Sequence, residues 1–167
     1  GIWQSLNSAN WDLLDHSARQ GPVVTLGASF SSPAGLGVVE GNEIPYKLEA
    51  LAKKKENQAN WVKRDPEIKC YMPGVPRANY QGFPFQIFQT PQYIHVAYEF
   101  ASAYRAIYMD PKRPPPGLDM WMGFSRGHWE GDTLVVDVTG FSDQSWFDRA
   151  GDFHSDALHV TERYTLT

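Results

Sequence analysis

The sequence predicts a mainly β fold: an antiparallel meander curling toward a calycin-like barrel, with an α-helical and irregular N-terminal part and an expected continuation past the C-terminus. Three observations carry this reading. Aromatic residues make up 14% of the chain, with six Trp, eight Tyr and nine Phe, and such rings fit wide pleated faces. From Phe85 onward apolar and polar residues alternate with a period of two. The connections between these runs are short and turn-like, as in Pro91-Gln92 and Glu130-Gly131-Asp132, so consecutive strands lie side by side.

A single domain spans 1–167, with 1–84 an irregular and helical wrap and 85–167 the antiparallel sheet. Trp3, Trp11, Leu13 and Leu14 could pack a short helix over Ser8–Arg19, with Ser8 or Asn10 as its N-cap. Gly21-Pro22, Ser31-Ser32-Pro33 and Gly35-Leu36-Gly37 mark loop, accompanied by two β-like pieces, Val23–Leu26 and Val38–Val39. Leu48, Leu51, Ala52, Ala59 and Val62 then recur at helical spacing. They predict a helix over Pro45–Lys63, with proline in its first turn and Lys53-Lys54-Lys55-Glu56 as its solvated face. Asp65-Pro66 ends it. Two prolines around Gly74 stiffen the Cys70–Arg77 loop.

Strands are expected at Phe85–Thr90, Tyr93–Phe100 and Tyr104–Asp110. Alternation in the second puts Ile94, Val96, Tyr98 and Phe100 on one face, with Tyr93, His95, Ala97 and Glu99 on the other. Lys112–Gly117 is an extended, proline-rich loop. Met120–Trp129 and Thr133–Thr139 form a hairpin, and a last strand covers Leu158–Thr167.

The totals exclude several classes. At 42% apolar and 20% charged residues the chain is not intrinsically disordered. A net charge of −4 gives no clustered basic face for nucleic acid. No apolar run approaches the roughly 18 residues of a spanning helix. The lone Cys70 leaves no intrachain disulfide and no cysteine-based zinc site.

Several segments are distinctive together: Gly1-Ile2-Trp3, the Cys70–Arg77 loop, and the run from Trp129-Glu130-Gly131-Asp132 through Asp137. To these add Phe141–Asp148 with Trp146, and His154-Ser155-Asp156 leading to Glu162-Arg163. Across most of its length the chain resembles a large group of exported bacterial proteins abundant in Acidobacteria and related lineages. The resemblance implies an export signal upstream of Gly1, hence a periplasmic or secreted protein, and further strands after Arg163. It implies no activity.

Four constellations could carry chemistry. His154 and His159 are five apart, which suits neither face of a strand nor of a helix, so no metal is expected. The Ser142–Asp156 loop gathers Asp143, Trp146, Asp148, Arg149, Asp152, His154 and Asp156. Carboxylates beside a histidine suit acid–base work, or simply bond a surface loop together. Gly123-Phe124-Ser125-Arg126-Gly127 matches a nucleophile elbow in letters only, because it falls in a hairpin strand. His95 and Glu99, with Arg105 on the next strand, form either a polar patch inside an aromatic cup or a plain ion pair facing water. Glu162 shares the buried face with Leu158, Val160, Tyr164 and Leu166, and needs a partner from Arg77, Arg105 or Arg149.

Two functions are therefore expected in order. The first is binding of a small apolar or aromatic molecule through His95, Glu99, Arg105 and Trp146, or service as an accessory subunit to other protein chains. The second is a hydrolase or lyase with His154, Asp148, Glu162 and Arg149 as its site. Neither calls for a cofactor.

Overall fold

The computed structural model describes residues 1–21 and 31–166. Seven strands form one sheet in sequence order: β1 (Ile2–Trp3), β2 (Phe85–Gln89), β3 (Tyr93–Tyr98), β4 (Tyr104–Tyr108), β5 (Phe124–Glu130), β6 (Thr133–Thr139) and β7 (Val160–Thr165). The sheet curls into a half-barrel, as the meander of short connections requires. The chain's start joins it through Trp3 opposite Phe85.

One joint departs from the meander. Strands β4 and β5 run parallel, through Ile107 opposite Ser125 and Tyr108 opposite Arg126, while every other pair is antiparallel. A parallel neighbour needs a crossover of a dozen or more residues, and the proline-rich stretch after Asp110 supplies it.

The registers fix which side chains turn inward. Phe85, Ile87 and Gln89 stand opposite Tyr98, Val96 and Ile94; Val96 and Ile94 stand opposite Arg105 and Ile107. On the far side Leu134, Val136 and Val138 stand opposite Tyr164, Glu162 and Val160. Ile94, Val96, Ile107, Val136 and Val138 form the buried core with Val75, Ala78, Met122 and Phe141 from the wrap and loops. Gly127 faces Ile107 so closely that a Cβ there would lie 2.8 Å from its Cγ2, which lets the parallel strands approach. Ser125 is buried mid-strand beside it, so the elbow-like letters have no elbow.

The wrap differs from expectation in three places. The predicted Ser8–Arg19 helix is absent: turns and isolated bridges, His16 to Gly35 and Arg19 to Ser32, replace it. The polar groups there bond outward instead. Arg149 N donates to Asn10 O at 3.0 Å, and Arg77 Nε donates to Asn10 Oδ1 at 2.8 Å. The predicted Pro45–Lys63 helix is α1 (Leu48–Ala59) and α2 (Trp61–Arg64), broken at Asn60. Its apolar stripe is not the buried one, since Leu48 is 84% exposed and Asn57 only 3%. The lysine run is not uniformly solvated either, because Lys54 Nζ reaches the fully buried Asp152 at 2.8 Å. Backbone packs on backbone here: Gly151, at φ 91°, leaves no room for a Cβ, which would stand 2.6 Å from Gln58 N. The expected Val23–Leu26 piece lies outside the described residues, as does Thr167 of the last strand.

No helix among the described residues is long and apolar enough to cross a membrane.

Candidate functional site

Because the sheet curls without closing, the side chains of β2–β4 and β6–β7 face each other across an open groove of about 480 Å³. Its walls are apolar: Phe85 and Ile87 from β2, Ile94 and Val96 from β3, Ile107 from β4, and Leu134 from β6. Trp3 and Trp129, each about half exposed, also line it. A concave, mainly apolar space of this size with a few convergent polar groups is the usual form of a small-molecule site.

Gln89, Asp132, Arg163 and Thr165 add polar groups to the lining, and two more polar lining residues, Asn79 and Tyr164, also belong to a buried cluster around Arg105, which itself does not line the groove. Arg105 Nη2 donates to Glu162 Oε2 at 2.7 Å, with only 2% and 8% of the two side chains exposed. Glu162 Oε1 accepts from Asn79 Nδ2 at 2.5 Å and from the Tyr164 hydroxyl at 2.8 Å. Tyr98 donates its hydroxyl proton to Asn79 Oδ1 at 2.7 Å. Burial opposes the charge on Arg105, but Tyr98, Glu162 and Tyr164 outweigh it, so the guanidinium is held more firmly protonated than usual. Burial pushes the Tyr98 hydroxyl up to about 12 and that of Tyr164 higher still. Both phenols are therefore hydrogen-bond donors at any working pH.

The cluster is incomplete. Arg105 Nε and Nη1 are buried and have no hydrogen-bond partner among the described residues. A buried donor left unpaired costs about 1–3 kcal/mol, and more when it is charged.

Of the residues expected to bind a ligand, Arg105 and its partner Glu162 meet inside the half-barrel. His95 and Glu99 do not join them. Arg105 stands opposite Val96, hence on the inward face, whereas His95 pairs with Ala106 and Phe88 on the outward one. There His95 stacks on Tyr104 and tilts against Tyr93, in an outer ridge that continues through Tyr108 to Phe124. Glu99 lies exposed beyond the end of β3. Trp146 is 8% exposed and bridges to Phe153 in the loop core, away from the groove lining.

The expected acid–base set separates as well. His154 Nε2 lies 2.8 Å from Ser145 Oγ, and its Nδ1 is 2.9 Å from the carbonyl oxygen of Ser155. A carbonyl only accepts, so Nδ1 carries the proton and Ser145 donates to Nε2. Packed against Phe141 and Phe147, the imidazole has its pKa lowered by burial. Asp148 instead accepts backbone N–H groups from Leu13 at 2.9 Å and Asp152 at 3.0 Å. Arg149 pairs with Glu67 at 2.5 Å and lies over the Trp11 ring. Glu67 also receives Arg77, which binds Asp65 through two bonds of 2.8 and 2.9 Å. Although burial acts against it, Arg77 and Arg149 hold the Glu67 carboxyl below its ordinary range. This network ties the wrap to the loop, and its Arg149 also lines a second open depression of about 550 Å³ together with Trp11, Arg19 and Trp61.

Asp12, Asp148 and Asp152 bring carboxylate oxygens within 4.8 Å of one another, all buried. Lys54 neutralises Asp152, and Arg19 neutralises Asp12 at 2.8 Å. Burial, then the charge of Asp152, push the Asp148 carboxyl well above the usual carboxylate range. The two histidines are not a metal pair: exposed His159 faces Asp137 at 3.2 Å.

No protein-family model, curated protein or solved structure matches this chain.

Sequence reasoning missed Asn79, Trp3 and Trp129 as groove residues and Asp12 and Lys54 as partners of the buried acids. Only Tyr164 carried a signal, through its shared face with Glu162.

Proposed function

We propose that this protein binds a small, mainly apolar or aromatic molecule in the groove of its half-barrel. The single observation that carries this reading is the groove itself: about 480 Å³ with mainly apolar walls, on which Asn79, Tyr164, Asp132 and Arg163 converge as polar groups. Burying an apolar molecule of drug size there removes wall and ligand surface from water together, at roughly 25 cal/mol per Å² before the costs of association. The resemblance to an exported group supports a periplasmic or secreted carrier.

Acid–base hydrolysis or elimination has less support. His154 faces Ser145 and a backbone carbonyl rather than a carboxylate, and neither it nor Ser145 lines the groove.

Native mass spectrometry of protein isolated from its source is the test. A retained small molecule is the expected result. A bare chain that also takes up no added aromatic compound contradicts the reading, and stable companion chains in place of a small molecule favour an accessory subunit.

A further inference from the structure

We propose that the depression bordered by α2 and Arg149 is a second binding site, which takes a small organic anion with a planar aromatic body, such as an aromatic carboxylate. It is separate from the groove of the half-barrel: the two share no lining residue among those described.

Shape supports it first. The depression holds about 550 Å³, within the usual range of small-molecule sites. The break between α1 and α2 builds one side of it, where 58–63 all line the space. The Arg149 guanidinium lies 4.2 Å from the Trp11 ring centroid and 5.7 Å from that of Trp61, so one cation links two indoles at the same wall. Indole offers a planar aromatic body a large apolar face.

Charge then selects the sign. Every charged residue that lines the depression, among those described, is a cation: Arg19, Lys63 and Arg149. The chain as a whole carries −4, so this is a local reversal. The acids that answer the two arginines, Asp12 and Glu67, are buried and do not line the space. Lys63 is exposed and enters no ion pair among the described residues. A cationic ligand would meet like charges on these walls and no carboxylate.

The donors are also within reach. Arg19 gives only Nη2 to Asp12, and its side chain is 41% exposed. Arg149 gives Nε and Nη2 to Glu67, while its Nη1 makes no hydrogen bond among the described residues and is not sealed in the interior. Pairing with Glu67 and packing on Trp11 already hold that guanidinium in place, so binding has little side-chain order left to impose. A carboxylate receives charge-assisted hydrogen bonds from such donors, roughly twice as strong as those a neutral head receives.

Titration of the full chain with three naphthalene probes, followed by NMR at the indole N–H signals, tests the proposal. Trp11 and Trp61 report on the depression, Trp3 and Trp129 on the groove. The probes are 2-naphthoate, 2-naphthamide and 2-naphthylmethylammonium. At Trp11 and Trp61 naphthoate is expected to bind about tenfold more tightly than naphthamide, and the ammonium compound most weakly. Lys63→Glu reverses a charge at an exposed position without disturbing the core. It should weaken naphthoate there by about fivefold or more and leave naphthamide nearly unchanged. Equal binding of naphthoate and naphthamide at Trp11 and Trp61, preference for the ammonium compound, or an unchanged naphthoate affinity in Lys63→Glu overturns the proposal. Absence of any shift at Trp11 and Trp61 overturns it too, and shifts confined to Trp3 and Trp129 would do so while supporting the groove.

Discussion

Arg105 on β4 donates to Glu162 on β7 at 2.7 Å across the inside of the curled sheet. The two strands are not neighbours in the sheet, so this ion pair acts as a strut between the two sides of the half-barrel. Removing one partner strands the other charge in the interior. Glu162→Leu is therefore expected to lower unfolding stability by about 3–5 kcal/mol, and Arg105→Met by a similar amount. The double variant Arg105→Met with Glu162→Leu should lose clearly less than the sum. Urea denaturation of the four proteins measures the coupling, and strict additivity would show that the strut carries no weight.

The buried acids give a pH dependence of definite sign. Asp148 has a folded pKa raised above its unfolded value, by burial first and Asp152 second. Its contribution is then fully present below about pH 4, the unfolded value, and is lost as pH rises through the folded value. Asp148→Asn should remove this slope at a constant cost of about 1–3 kcal/mol, because the amide cannot accept both backbone N–H groups. Thermal unfolding across pH checks it. A slope unchanged in Asp148→Asn counts against a raised Asp148 carboxyl.

His154 slopes the other way. Burial lowers its folded pKa, so its contribution is whole above about pH 6.5 and fades on acidification through the lower folded value. Its ring also fills space between Phe141 and Phe147 and satisfies Ser145. His154→Ala is expected to cost about 2–4 kcal/mol in chemical denaturation. A stability within 0.5 kcal/mol of wild type, about the spread of surface changes, would mean the residue is retained for chemistry instead.

Within the lysine run only one member is held in a buried pair. Lys54→Met leaves Asp152 without its cation and should cost roughly 3 kcal/mol. Lys55→Met, on the exposed side, should change stability by no more than about 0.5 kcal/mol. Equal effects at the two positions would deny the Lys54–Asp152 pair.

The legible part of this molecule is the part governed by a period of two. Strands β2 to β4, β6 and β7 fall within the expected segments, β5 runs one residue past Trp129 into the expected turn, and the inward position of Glu162 follows from its register with Val160 and Tyr164. Arg105 was among three arginines that could answer it, and side-chain alternation alone could not choose. Parity could, however, have separated Arg105 from His95, since the register that places Val96 inward also places Arg105 inward.

The wrap was less legible because its partners are distant in sequence. Asn10, Asp12 and Leu13 abandon a helix to bond Arg77, Arg19 and Asp148. Helix α1 buries Asn57 and half-buries Lys54 because Gly151 and Asp152 lie against that side, which no helical periodicity announces.

Methyl-resolved NMR with an added neutral aromatic compound tests the central claim most directly. Shifts should concentrate on the methyl groups of Ile87, Ile94, Val96, Ile107 and Leu134. Leu48 and Leu51, on the exposed face of α1, should stay still. Unmoved groove methyls at saturating compound, or shifts confined to the wrap, would contradict a ligand site inside the half-barrel.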